Sequence, residues 1–95
     1  MKGNGMVIWK FKLAIRFTQS IMVPKGSTIL SLAVQKDDLC IWALVDPDAG
    51  SECRTIQIFG TNEKIKDPLV GTKRLFIGTV IMSYFVWHVF ELVDL

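Results

Sequence analysis

The sequence predicts an all-β domain, a small antiparallel barrel or sandwich of about six to seven strands that self-associates. Three observations carry this. Val7 to Phe17 alternates cleanly, with Val7, Trp9, Phe11, Leu13, Ile15 and Phe17 on one side and Ile8, Lys10, Lys12, Ala14 and Arg16 on the other. That period of two marks a half-buried strand. Leu39 to Asp46 is apolar on both alternating sets and is too short for a free-standing helix, so it reads as a strand covered on both faces. No segment shows a convincing amphipathic helical pattern.

The elements follow in order. Residues 1–6 are expected to be an N-terminal extension, and residues 7–95 a single domain. After the long strand at Val7–Phe17, Gln19–Val23 is a second, shorter one. Pro24-Lys25-Gly26-Ser27 is a turn, because proline presets a corner and glycine accepts positive φ. Thr28–Gln35 is a β-branched and aliphatic run. Lys36-Asp37-Asp38 links it to the central strand by a tight three-residue hairpin. Asp46 and Asp48 around Pro47 suit turn caps better than metal ligands.

Glu52–Phe59 alternates again, with Arg54, Ile56 and Ile58 facing one way and Thr55, Gln57 and Phe59 the other. Its polarity places it near an edge. From Gly60 to Lys73 the pattern dissolves into a loop of a length associated with function or mobility. Arg74–Met82, a turn at Ser83-Tyr84, and Phe85–Leu92 complete the chain. Short hairpin links favour a meander.

Composition narrows the function. The apolar fraction is 51% and mean hydropathy +0.39, high for so short a chain. Ile77–Leu92 falls short of the roughly 20 apolar residues a membrane helix needs, and it holds His88 and Glu91. The surplus therefore points to strands that also form a subunit interface. The first residues lack the apolar core of a secretory signal. Net charge is +2, from eleven Lys and Arg against nine Asp and Glu, too small to imply a nucleic-acid partner. Two cysteines and one histidine make neither a disulfide framework nor a recognisable zinc set. No metal or cofactor is expected, and no acid–base constellation suggests an enzyme.

Several residues could still recognise a ligand. Gly60-Thr61, Gly71-Thr72 and Gly78-Thr79 pair a backbone open to close approach with a hydroxyl, and Lys64, Lys66, Lys73 and Arg74 lie beside them. Such groups can cradle phosphate, although none matches a Walker or Rossmann spacing. Loop glycines and a sheet-bending bulge at Gly78 are the structural alternative. Lys10, Lys12 and Arg16 make a cationic row roughly 20 Å long at about 3.3 Å per residue. The row suits an acidic partner or the protection of an edge strand. Trp9, Trp42 and Trp87 suit cores, interfaces or base stacking. Trp87 and His88 point to opposite faces, and Glu91 is either a buried partner for Arg54 or exposed.

The chain resembles an uncharacterised family of short phage and prophage proteins. The resemblance rests on Ile8-Trp9-Lys10, Pro24-Lys25-Gly26 with Ile29-Leu30-Ser31, and Trp42-Ala43-Leu44-Val45-Asp46-Pro47. It continues through Phe59-Gly60-Thr61, Ile77-Gly78-Thr79-Val80 and Trp87-His88-Val89-Phe90-Glu91. It implies a phage-encoded β-rich accessory protein of the host bacterial cytoplasm, of the kind that counters bacterial defence. The first expectation is sequestration of a small anionic nucleotide at a subunit interface. Gly60, Thr61, Lys64, Lys73, Arg74, Arg54, Trp87 and His88 would be the ligand-binding residues. The alternatives are a protein–protein inhibitor offering Lys10, Lys12 and Arg16 to a host defence complex, or a structural virion or assembly component.

Overall fold

The computed structural model of the chain describes residues 5–95, so residues 1–4 of the predicted extension lie outside it. The described residues hold seven antiparallel strands and no helix. In chain order these are β1 (Val7–Leu13), β2 (Thr18–Pro24), β3 (Thr28–Gln35), β4 (Asp38–Val45), β5 (Ser51–Gly60), β6 (Thr72–Met82) and β7 (Phe85–Asp94). They form two sheets, β1-β4-β3 and β2-β5-β7-β6, with no closure into a barrel. A simple meander is also corrected. Only β3–β4 and β6–β7 are hairpins between neighbours, and the chain changes sheet after β1, β2 and β4.

The sheets share one core. Leu13, Leu39 and Ile41 from the first sheet cluster with Ile56, Ile58, Val80 and Val89 from the second. Each such side chain contributes about 1.5–3 kcal/mol of gross burial. The apolar run at residues 39–45 is the centre of the first sheet. Leu39, Cys40, Ile41, Ala43 and Val45 are buried, while Trp42 and Leu44 on the outer face are half-buried.

Where β3 crosses β6, a Cβ on Gly78 would stand 3.2 Å from Leu32 Cδ2. The ladder there shifts register between Phe76 and Gly78. The glycine thus combines a bulge with a close approach of the two sheets.

Local chemistry corrects two predicted boundaries, and pairing corrects one predicted placement. The first strand ends at Leu13, not Phe17. Gln19 takes both backbone groups of Ala14, its Oε1 accepting from Ala14 N at 3.0 Å and its Nε2 donating to Ala14 O at 2.6 Å. Residues 15–17 form a bend instead of continuing the strand. The β3–β4 link has two residues rather than three, since Gln35 pairs with Asp38. Lys36 and Asp37 both take positive φ, 50° and 67°, the requirement of a type I′ turn. The β5 strand is not at an edge but lies between β2 and β7.

Candidate functional site

The two ends of the sandwich differ. At one end stand the β3–β4 and β6–β7 hairpins and the bend before β2. Between them lies a groove of about 500 Å³ walled by Ile15, Val34, Ile81, Met82, Phe85 and Trp87. Among the described residues Asp37 is the one charged residue lining it, and Ser83 adds a hydroxyl. Phe85 and Trp87 stand two apart on one face of β7, which stacks their rings 5.6 Å apart and 16° from parallel. Phe85 is 60% exposed and Ile81 72%. Alternation predicts Trp87 as a facing residue but gives no sign of the uncovered groove. The available signal is local: Ile81, Met82 and Phe85 place apolar side chains on both alternating sets beside a turn.

At the opposite end Arg54 closes the space between sheets. Its Nε donates to Glu91 Oε2, its Nη2 to Glu91 Oε1 at 3.1 Å, and its Nη1 to Ser27 O at 2.9 Å and Glu52 Oε2 at 3.3 Å. Glu91 is buried, so of the two alternatives for it the pairing with Arg54 is the one present. The Glu91 hydrogen bond outweighs partial burial and holds the Arg54 guanidinium above its ordinary pKa, with the charges of Glu91 and Glu52 adding to it. A depression of about 440 Å³ beside the pair is lined by Glu52, Glu91 and Asp94 against this single guanidinium. Three carboxylates to one cation do not suit an anion.

Several of the remaining predicted ligand residues are engaged by hydrogen bonds within the second sheet and the segment after β5. His88 sits between two hydroxyls, Thr61 Oγ1 at 2.8 Å from Nε2 and Thr79 Oγ1 at 2.9 Å from Nδ1. Arg74 Nε donates to Gln57 Oε1 at 2.6 Å, its Nη1 to Lys66 O at 2.8 Å, and its guanidinium lies 5.1 Å from the Phe59 ring centre. Phe59 is 1% exposed, packed edge-on against Phe17 and Phe90. The Gly60 N–H donates to Glu63 Oε1 at 2.8 Å, and the Trp87 ring passes on its other side.

Residues 61–71 touch the second sheet through the Thr61 hydroxyl and the Lys66 carbonyl, while most of the segment stays exposed. Gly60, Thr61, Arg74 and His88 are engaged internally there, and Arg54 is engaged at the far end of the sandwich. Lys64 and Lys73 are exposed, and Trp87 alone of the eight lines the groove.

The cationic row is broken. Lys10 and Lys12 are on β1, but Arg16 lies in the bend beyond it, beside a small cavity that shares Ile15 and Trp87 with the groove. Lys10 Nζ donates to Gln35 Oε1 at 2.8 Å, and Lys12 pairs with Asp38 at 3.2 Å. Both cysteines are free thiols, Cys40 buried and Cys53 exposed. Among the described residues no three of His, Cys, Asp and Glu converge as metal ligands, and no helix is long and apolar enough to cross a membrane.

No curated protein and no solved structure matches this chain. A family model does, over residues 5–94, which takes in all seven strands, the groove and the Arg54–Glu91 closure. The chain belongs to that family, described as a domain of unknown function (DUF7352).

Proposed function

We propose that the protein acts by binding rather than by catalysis, and that the groove at the hairpin end takes an apolar or aromatic side chain of a protein partner. The observation that carries this reading is the stacked Phe85–Trp87 pair, with Phe85 exposed and Trp87 half-buried, in an apolar groove with Asp37 as its charged lining residue. A concave apolar site with a few polar groups at its rim is the usual form of a recognition pocket. Aromatic anchors in such pockets carry much of the energy of protein interfaces. The resemblance to short phage and prophage proteins supplies the setting: a host bacterial cytoplasm, with a component of a host defence complex as the partner.

Nucleotide sequestration is the second reading, favoured by Arg16 lying one small cavity away from the Trp87 ring. A base would stack on Phe85 and Trp87, with its phosphate at Arg16. Glu63 lines that same cavity and Asp37 the groove, and both oppose an anion.

Fluorescence of Trp87 separates the two readings once Trp9 and Trp42 are replaced by phenylalanine. Short peptides bearing a tryptophan or phenylalanine are expected to shift the emission saturably, while cyclic and linear nucleotides leave it unchanged. A saturable response to nucleotides alone overturns the protein-binding reading in favour of the second. Silence toward both probes removes the groove as a site.

A further inference from the structure

We infer that two copies of this chain pair through β1, antiparallel and edge to edge, with the two-fold axis at Trp9. The chain exposes 6441 Å², whereas a compact monomer of its 10.7 kDa mass exposes about 5,500 Å². Its Cα radius of gyration is 14.2 Å, against about 12.4 Å for a compact chain of this length. Exposed apolar side chains occur over much of the surface, and four of them are consecutive at the start of β1: Met6, Val7, Ile8 and Trp9 are 50%, 41%, 58% and 43% exposed.

Four strand edges are free to pair, one at each side of each sheet. Natural edges are blunted by bulges, prolines and charges. The β3 edge shifts register between Ile29 and Ser31, and β6 between Phe76 and Gly78. The β2 edge ends on Pro24. The β1 edge keeps an unbroken register with β4 from Val7 to Leu13 and contains no proline. Lys10 and Lys12, the residues that would guard it, lean the other way. Lys10 reaches across β4 to Gln35 on β3, and Lys12 reaches Asp38 on β4. Their charges are therefore drawn back from the free edge.

Symmetry then limits the register. A continuous antiparallel sheet with its two-fold axis normal to the sheet requires a residue to face its own copy. An axis at Lys10 sets two ammonium groups directly opposite, which is destabilising. An axis at Trp9 sets Trp9 against Trp9, Ile8 against Lys10 and Val7 against Phe11. Trp9 and Phe11 already touch, with ring centres 6.4 Å apart, so the pair would gather four aromatic rings on one face. The exposed parts of Met6, Val7, Ile8 and Trp9 amount to on the order of 400 Å² per protomer, about half of a standard interface's share, before the backbone edge and Phe11 are counted.

Cysteine crosslinking in a Cys53→Ser background tests this, since Cys40 is buried. In an antiparallel pair a residue facing itself has its Cα atoms about 4.5–5.5 Å apart, within disulfide reach. Trp9→Cys is therefore expected to crosslink into a dimer under mild oxidation. Lys12→Cys, displaced from its copy by about 20 Å along the strands, is expected to remain monomeric. In sedimentation the unmodified protein is expected to run as a concentration-dependent dimer, and Trp9→Lys as a monomer with unchanged circular dichroism. A monomeric unmodified protein at near-millimolar concentration overturns the inference. So does equal crosslinking at both positions, or a Trp9→Lys variant that stays dimeric.

Discussion

The two ends of the sandwich hold depressions of similar size, about 440 and 500 Å³, finished in opposite ways. At one end a guanidinium ties β5, β7 and the β2–β3 turn together, and every partner comes from within the chain. At the other, Phe85 stacks on Trp87 and the wall stays open. The difference is one of valence. A fork of N–H donors is satisfied by a few well-placed oxygens, whereas apolar surface is relieved only by being covered. An end closed by hydrogen bonds is finished, while the end where Phe85 stays 60% exposed is left uncovered.

The face of the second sheet that carries Phe59 belongs with the closed end, and the largest expected effect lies there. Phe59→Ala removes a ring that is 1% exposed and touches Phe17, Phe90 and the Arg74 guanidinium. The loss is expected to be about 3–5 kcal/mol. Denaturant unfolding followed by circular dichroism measures it. A loss under about 1 kcal/mol would mean that Phe17, Phe90 and Arg74 do not enclose this ring in solution.

Next comes Glu91→Ala, which leaves Arg54 with only Glu52 and Ser27 O. Breaking a fully buried pair costs about 3–5 kcal/mol, and the partial exposure of the Arg54 side chain, 20%, lowers the expected value to roughly 2–3 kcal/mol. Glu91→Gln keeps an acceptor and is expected to cost less. The pH dependence follows from the sign of the Arg54 shift. A folded-state pKa raised above the unfolded one gives stability that is fully present below the unfolded value and lost only as pH climbs through the folded one. For an arginine that window is strongly alkaline, so the contribution of Arg54 should stay flat across the neutral range. A stability difference between the parent and Glu91→Ala that shrinks markedly from neutral to mildly alkaline pH would show that another group carries the closure.

Much of the closed architecture was legible in the sequence, because it rests on local signals. Alternation or a short apolar run located each strand, Asp46 caps its turn by accepting from Asp48 N at 3.0 Å, and Gly78 marks a bulge. The alternation of Arg54 with Ile56 and Ile58 put the guanidinium on the core face. The place of β5 was not legible. A glutamine beside a phenylalanine on an alternating strand suggests solvent, and only contact with Arg74 makes Gln57 a buried, satisfied residue. The limits of β1 were hidden for a similar reason: a side chain five residues away, Gln19, outcompetes continued pairing. The groove was least legible of all. Phe85 and Trp87 carry the same alternation as buried Val89, and whether a facing sheet covers them depends on pairings between distant segments. Of the residues grouped as one ligand site, Gly60 lies against the Trp87 ring, while Thr61 joins His88 on the other face and Arg74 is held by Gln57 and Lys66 O.

The smallest expected stability effect marks the open end most sharply. Phe85→Ala removes a ring that is 60% exposed and has one stacking neighbour. An exposed site costs within about 0.5 kcal/mol, and loss of the stack adds roughly 0.5–1 kcal/mol. The fold should therefore survive with a melting temperature only a few degrees lower. Binding should respond in the opposite proportion: the peptide-induced shift of Trp87 emission should vanish, because half of the aromatic wall is gone. If Phe85→Ala instead destabilises as strongly as Phe59→Ala, the ring is a core element and the end counts as closed. If stability and the peptide response both persist, the recognition surface lies elsewhere on the molecule. A variant that folds normally yet no longer responds would place Phe85 in a surface kept uncovered for a partner.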